Sequence, residues 1–98
     1  MQLNRLLEKA KTSAIHRHLL NYGLRRMIPF NGAHHLKIEQ VMDHTLLLTL
    51  PAIRQNKNHL QGMHACALAT LCEYISGLSL ARVLPAEEYR LILKSIHV

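Results

Sequence analysis

The amino-terminal third of the chain has apolar residues at helical intervals among charged ones. These apolar positions are Leu3, Leu6, Leu7, Ala10, Ala14, Leu19 and Leu20. The spacing predicts one amphipathic helix over 3–22, with Gly23 as its carboxy-terminal cap. A second short helix is predicted over 24–28 because the next residue is proline, and the sequence FNGAHH at 30–35 is typical of a loop.

From Leu36 the pattern changes to the alternation of apolar and polar residues that is typical of a half-buried strand. Residues 36–40, LKIEQ, alternate in this way and predict a first strand. The sequence MDHT at 42–45 is suited to a turn, and LLLTL at 46–50 predicts a second strand that Pro51 ends. The two strands are expected to form an antiparallel pair.

The most apolar stretch lies in the carboxy-terminal half. A polar linker at 52–62 precedes it, and residues 63–81 contain one charged side chain, that of Glu73. This composition predicts a long buried helix from about residue 62 to 80. The final residues, EYRLILKSIHV at 88–98, alternate again and predict a third strand.

This order of elements indicates one α+β domain in which a curved antiparallel sheet wraps around the long helix. A length of 98 residues suits a single domain. Its helical segment would occupy 1–30, and the strands and the central helix would occupy 31–98. Because the chain stops within the third strand by its own pattern, further strands of the sheet are expected to be missing.

The charge balance and the cysteines bear on the binding partner and on the cellular compartment. The formal net charge of +6 favours an anionic partner, which would be nucleic acid, a lipid headgroup, acyl carrier protein or a nucleotide-bearing substrate. Charge alone does not choose among these, and a basic solvated surface explains it equally well. The amino terminus lacks the apolar region of a secretory signal. Cys66 and Cys72 would lie about 240° apart on a helix, where they cannot bridge, so two buried thiols in a cytoplasmic protein are expected.

The apolar stretch 63–81 has nearly the length of a membrane span, and Lys57 and Arg82 flank it. Glu73 and His64 lie within the stretch and would be costly in lipid. The sequence therefore favours a helix inside a protein core, and no membrane span is expected.

Glu73 itself has two interpretations. It is either a solvated acid at an exposed edge of the helix, or a partly desolvated carboxylate suited to general-base or nucleophilic catalysis. His64 lies nine residues earlier, which places it about 180° around a helix and roughly 13 Å along it. The two side chains therefore cannot act together within one helix, and a catalytic site that uses both would need a second chain.

The order Asn58, Gly62, His64 and Glu73 resembles the motif of the hotdog-fold acyl-CoA thioesterases. The resemblance is strongest to the phenylacetate-pathway type and to an uncharacterised group of thioesterase-like proteins. It covers about residues 24–98. The predicted order of two strands, a long helix and a strand is also similar to the start of that fold.

The resemblance implies hydrolysis of an acyl-CoA or acyl-carrier thioester at a site between the subunits of a homodimer or tetramer, without a cofactor or a metal. It implies that Glu73 activates water or attacks the thioester, and that Asn58 orients the water or the substrate. His64, Gly62 and the amide of Ala65 would form the oxyanion-binding start of the helix, where free N–H groups and the helix dipole stabilise negative charge.

Two departures from the family pattern are visible. Ala65 and Cys66 follow the histidine where the family often has two glycines, which narrows the room for a thioester carbonyl. The family sheet also has more strands than the three predicted here. A non-catalytic hotdog-like module that binds an acyl ligand or a protein therefore stays open as an alternative.

The remaining residues of interest have simpler interpretations. The eight histidines show no zinc-finger spacing, and His64 is expected to cap the long helix. Cys66 lacks a histidine at a workable helical spacing and is expected to pack in the core. The amino-terminal segment is basic at Arg5, Lys9, Lys11, Arg17, Arg25 and Arg26. This basic character suggests nucleic-acid or membrane-surface binding. Because the segment lacks the interleaved aromatics on which bases stack, such binding is kept as a second alternative only. Under the thioesterase interpretation, the phosphates of coenzyme A would meet some of these cations, or Arg82, Arg90 and Lys94.

Overall fold

The structure is a computed structural model that describes residues 3–84 and 87–97. In chain order it contains the helices α1 (Leu3–Ala10), α2 (Ala14–Met27) and α3 (Pro29–Ala33), the strands β1 (Lys37–Val41) and β2 (Leu46–Thr49), a 3₁₀ turn (Arg54–Asn56) and the helix α4 (Ala65–Ala81). The described part of the chain is therefore α+β, as predicted, and it contains several helices and one two-stranded antiparallel sheet.

The amino-terminal helix is interrupted where the sequence predicts continuity. Ser13 has an extended backbone and caps α2, because its hydroxyl accepts a hydrogen bond from the amide of His16 at 3.3 Å. The prediction of one helix over 3–22 is therefore wrong, since it is two helices. Helix α2 also continues through Gly23, so this glycine is not a cap and 24–28 is not a separate helix.

The predicted loop at 30–35 is also wrong over most of its length, because α3 begins at Pro29 and includes the next four residues. Proline suits the first position of a helix, where its missing N–H is not needed. A Cβ atom on Gly32 would lie 2.8 Å from the carbonyl oxygen of Arg25, closer than real Cβ contacts come. The absence of a side chain at Gly32 therefore lets α3 lie directly against the backbone of α2.

Replacing Gly32 by alanine is expected to lower the free energy of unfolding by about 1–3 kcal/mol, because the new methyl group must displace backbone. Gly23 is the matched control, since it lies inside α2 and a Cβ there meets nothing within 4 Å. Gly23→Ala is expected to raise stability by about 0.5–1 kcal/mol, as alanine favours helix. Urea unfolding monitored by circular dichroism measures both, and equal shifts of one sign would contradict the close approach.

The predicted hairpin is confirmed. Strands β1 and β2 pair antiparallel, with Ile38 opposite Leu48 and Val41 opposite Leu46. The register shifts between Ile38 and Gln40, which leaves one extra residue in β1. In β2 alternate residues, Leu46 and Leu48, are buried, as the period of two requires. In β1 the buried residues Ile38 and Val41 are three apart, because the extra residue lies between them.

The second edge of β1 is closed by a side chain of α2. Asn21 Oδ1 accepts a hydrogen bond from the amide of Ile38 at 2.8 Å, and Asn21 Nδ2 donates to the carbonyl oxygen of Ile38 at 3.0 Å. Asn21 is buried and supplies here the two contacts that a neighbouring strand would otherwise make. The start of β1 is thereby fixed against α2.

The turn between the strands is held by two basic residues from distant parts of the chain. The Arg82 guanidinium, just after α4, donates to the carbonyl oxygens of Met42 at 2.6 Å and of Thr45 and Asp43 at 3.3 Å each. Lys11 Nζ lies 2.8 Å from the carboxylate of Asp43. This hydrogen bond raises the pKa of Lys11 and lowers that of Asp43. Arg82 is thus engaged in holding the hairpin against α4.

The hydrophobic core combines both long amino-terminal helices, the hairpin and one side of α4. Its buried members are Leu7, Ala10, Leu20, Leu24, Leu36, Ile38, Val41, Leu46, Leu48, Tyr74 and Leu78. The buried residues of α4 repeat at intervals of seven and four and form one stripe. Burial raises the pKa of Tyr74 to about 12.

Two predictions about α4 and its surroundings are corrected. The helix is not buried all round, because the two-stranded sheet contacts it from one side and leaves the opposite side exposed. The predicted third strand is absent from the described residues 88–97, which have no regular secondary structure. A strand needs a neighbour for its N–H and C=O groups, and β1 and β2 pair with each other alone among the described residues. Residue 98 of the predicted strand lies outside the described residues.

Within the two described ranges, none of the helices combines the length and the apolar content needed to cross a membrane.

Candidate functional site

The exposed side of α4 carries Glu73 near its centre. Ala69, Glu73, Ser76 and Leu80 follow one another at intervals of three or four residues, on the side opposite to the buried stripe. A groove of about 1120 Å³ lies between this side and residues 90–97. It extends along α4, because residues from both ends of the helix line it. We call it the α4 groove.

The α4 groove is mainly apolar with few charges. Leu68 and Leu80 of the helix and Leu91 of the carboxy-terminal segment contribute apolar surface. Glu73 is the one carboxylate among its described lining residues. Arg90 and Lys94 line it from the other side. Among the cations that the sequence offers for coenzyme A phosphates, these two therefore face the groove, whereas Arg82 holds the hairpin turn.

The amino terminus of α4 is arranged by His64, which confirms its predicted capping role. His64 Nδ1 accepts a hydrogen bond from the amide of Cys66 at 3.0 Å. A neutral ring that accepts at Nδ1 carries its proton on Nε2, so Nε2–H is left as a donor on an exposed side chain. The amide of Ala65, at the first helical position, has no acceptor among the described residues.

The residues before this cap form a tight loop closed by Asn58. Its side-chain Oδ1 accepts hydrogen bonds from the backbone amides of Leu60 at 2.9 Å and Gly62 at 3.0 Å. The backbone N–H of Asn58 donates to the carbonyl oxygen of Gly62 at 2.8 Å. Gln61 has a positive φ of 65°, which lets the loop reverse direction. Because Oδ1 is occupied, Nδ2 is the group of Asn58 left to meet a ligand.

A buried residue that the sequence did not single out holds the start of α4 in place. Asn56 is fully buried, and its Nδ2 donates to the carbonyl oxygens of His34 at 2.8 Å and Pro51 at 2.9 Å. Its Oδ1 lies 2.7 Å from His34 Nδ1, and its carbonyl oxygen accepts from the amide of His64 at 2.8 Å. Asn56 therefore connects the segment before β1 and the end of β2 to the start of α4. It lies in a run of polar residues, and no local signal distinguishes it from its neighbours.

The structure divides the candidate residues from the sequence into two groups. Glu73 and Ala65 line the α4 groove. Asn58, Gly62 and His64 cluster at the start of α4 and do not line the groove.

A model of one protein family matches residues 16–98. The chain belongs to the family described as "Domain of unknown function (DUF4442)".

Comparisons of the DUF4442 chain with curated proteins and with solved structures give no significant match. The family match begins within α2 and includes all five candidate site residues and Asn56. Helix α1 alone among the helices lies wholly before it.

Within one DUF4442 chain, His64 and Glu73 do not form a pair. The structure places both on α4 as predicted, one as its cap and one in its middle, so the roughly 13 Å separation along the axis and the 180° rotation hold. Glu73 is exposed in the single chain. Desolvation of this carboxylate would therefore need a covering partner or ligand.

The cysteines of the DUF4442 chain are not core residues. The prediction that both are buried is wrong, because Cys66 and Cys72 are exposed free thiols that line the α4 groove. They lie on the side of α4 that the hairpin leaves uncovered. Across 3–84 and 87–97, no group of three or more His, Cys, Asp and Glu side chains could hold a metal ion.

Proposed function

We propose that this DUF4442 chain is a hotdog-type thioesterase that hydrolyses an acyl-CoA or acyl-carrier thioester at a site shared by two copies. The observation that carries the proposal is the position of Glu73, a single carboxylate in an apolar groove on a helix whose first turn has free donors. An apolar groove suits an acyl chain, and a carboxylate beside it suits the attack on a thioester.

The proposed chemistry assigns each group a separate task. Glu73 either takes a proton from water as the water attacks the thioester carbonyl, or attacks that carbonyl itself. The amide of Ala65 and the Nε2–H of His64 donate hydrogen bonds to the oxyanion that forms, aided by the positive end of the α4 dipole. Asn58 Nδ2 holds the substrate or the water. Arg90 and Lys94 offer positive charge for a phosphate-bearing carrier.

Helix geometry favours a site built from two chains. Glu73 of one copy cannot reach the donors at the start of its own α4, for the reasons of distance and rotation given above. A second copy packed on the exposed side of α4 would bring its helix start towards Glu73 and would exclude water from the groove. It would also offer backbone partners to residues 88–97, whose alternating sequence is that of a strand. The hotdog fold and the dimer are parts of this one proposal.

Mixing two inactive variants tests the shared site. Glu73→Ala removes the carboxylate, and His64→Asn removes the imidazole donor while keeping a side chain that caps helices well. Each variant alone is expected to lose at least about 100-fold in hydrolysis. Co-refolded in equal amounts, they are expected to recover roughly a quarter of wild-type activity, because half of the dimers are mixed and each mixed dimer has one intact site.

The control is each variant refolded with itself, measured by thiol release from a panel of acyl-CoA substrates. Losses in both variants without recovery on mixing would contradict the two-chain site. Full activity in either variant, or no hydrolysis by the wild type, would contradict the enzymatic proposal. Acyl-CoA binding without hydrolysis would instead favour the non-catalytic module.

A further inference from the structure

A second, basic pocket lies away from the α4 groove. Its volume is about 270 Å³, and it is lined by His18, Asn21, Tyr22, Arg25 and Lys37. The first four stand at positions i, i+3, i+4 and i+7 of α2 and so share one face of the helix. None of them belongs to the site proposed above.

The pocket has a structural cause in the contact between α2 and β1. Asn21 uses both ends of its side-chain amide on the backbone of Ile38, which holds this face of α2 against the start of the strand. Lys37 directly precedes Ile38, so it is brought beside the arginine and the histidine of the helix. Asn21 is buried and fully engaged, and the groups around it are therefore the ones available to a ligand.

The charged and polar groups of this pocket have few partners in the protein. Among the described residues, no ion pair and no side-chain hydrogen bond involves His18, Tyr22 or Arg25. Lys37 Nζ lies 3.4 Å from the carboxylate of Glu39, which also accepts a hydrogen bond from Thr49 at 3.1 Å. The pocket therefore combines an unpaired guanidinium, a loosely paired ammonium, a phenol and an imidazole.

We infer that this pocket binds a phosphate group through Arg25 and Lys37, with Tyr22 and His18 as additional hydrogen-bonding groups. Arginine offers paired N–H donors that match two phosphate oxygens, and lysine adds a point charge. The volume of about 270 Å³ is enough for a phosphate or diphosphate group. One exposed tyrosine gives no series of stacking platforms, so a long single-stranded nucleic acid is not the expected occupant.

Isothermal titration calorimetry of the full chain with inorganic pyrophosphate tests the inference. Arg25→Gln is expected to weaken binding about tenfold or more, because a charge-assisted contact is lost. Arg26→Gln is the matched control, since Arg26 is the exposed next residue and does not line the pocket. It is expected to change the dissociation constant by less than about twofold, through the small loss of general attraction.

Glu39→Gln provides a variant with the opposite expectation, because it removes the carboxylate that competes for Lys37 and keeps an acceptor for Thr49. It is expected to bind pyrophosphate at least as tightly as the wild type. Equal weakening by Arg25→Gln and Arg26→Gln, weaker binding by Glu39→Gln, or no binding by the wild type would each overturn the inference.

A second arm identifies the source of the phosphate. Vesicles of phosphatidylcholine with and without phosphatidic acid are compared with soluble pyrophosphate as the probe. Retention on the acidic vesicles that Arg25→Gln abolishes and Arg26→Gln preserves would assign the phosphate to a lipid headgroup. Pyrophosphate binding without vesicle retention would assign it to a small soluble ligand.

Discussion

Asn56→Asp is expected to destabilise the protein by about 3–5 kcal/mol at neutral pH, which is most of the stability of a small domain. The side-chain amide of Asn56 is a donor to two carbonyl oxygens, those of His34 and Pro51. An aspartate at this fully buried position would place a carboxylate oxygen against a carbonyl oxygen, with no proton between them. The contact with His34 Nδ1 survives, since Asn and Asp both accept there.

Asn58→Asp is the matched control, because it makes the same chemical change two residues away. Asn58 uses its Oδ1 as an acceptor from the amides of Leu60 and Gly62, and a carboxylate can accept both bonds. Its effect on the free energy of unfolding is expected to stay within about 1 kcal/mol. Urea unfolding at pH 7 measures the two variants side by side. Similar losses in both would show that the buried donor role assigned to Asn56 is incorrect.

The Asn56 substitution also has an expected pH dependence. Burial and the two facing carbonyl oxygens would raise the pKa of the new carboxyl in the folded state above the value of about 3.9 in the unfolded chain. A raised folded-state pKa means that protonation favours folding, so part of the lost stability should return as pH falls towards that value. The protonated carboxyl can donate to one of the two carbonyl oxygens. Asn58→Asp has no such expectation.

The contrast between Asn56 and Asn58 shows where sequence reasoning reaches its limit. Both lie in the polar stretch 52–62, and the sequence resemblance singled out Asn58. The structure buries Asn56 instead, because its side chain is enclosed in part by His34, which lies 22 residues away in sequence. Residue type and local pattern do not report which polar group is enclosed by remote backbone.

The same limit explains the outcomes for the strands. The hairpin was predictable because alternation in two adjacent segments, with a turn between them, contains both partners of the pairing. The segment 88–97 alternates equally well and has no strand structure here. Its alternation is a local property, whereas pairing depends on the backbone of a second segment, and 88–97 forms no ladder with any described segment.

The location of α4 was predictable and its orientation was not. An almost wholly apolar helix has no polar side to mark the solvent, so its sequence could not tell which residues the hairpin would cover. The placement of Tyr74 inside and Glu73 outside follows from the packing of α4 on β2. The exposed cysteines have the same explanation.

Glu73→Gln is expected to reduce kcat/KM for thioester hydrolysis by about 10²–10⁴-fold, because an amide neither takes a proton from water nor attacks a thioester. Glu73 is exposed and makes no hydrogen bond or ion pair with another described side chain. The free energy of unfolding should therefore change by less than about 0.5 kcal/mol, so that lost activity cannot be attributed to lost structure. Thiol release from acyl-CoA substrates and urea unfolding measure the two effects independently.

Glu88→Gln is the matched control, because Glu88 is also an exposed carboxylate and lies outside the α4 groove. It should keep wild-type hydrolysis, since it removes the same charge without touching the groove. Glu73→Asp retains a carboxylate on a shorter side chain and should recover part of the activity that Glu73→Gln loses. If Glu73→Gln and Glu88→Gln hydrolyse thioesters equally well, Glu73 is not the catalytic carboxylate. If both fall together, the effect belongs to net charge and not to the groove, because position within the groove is what separates these two glutamates.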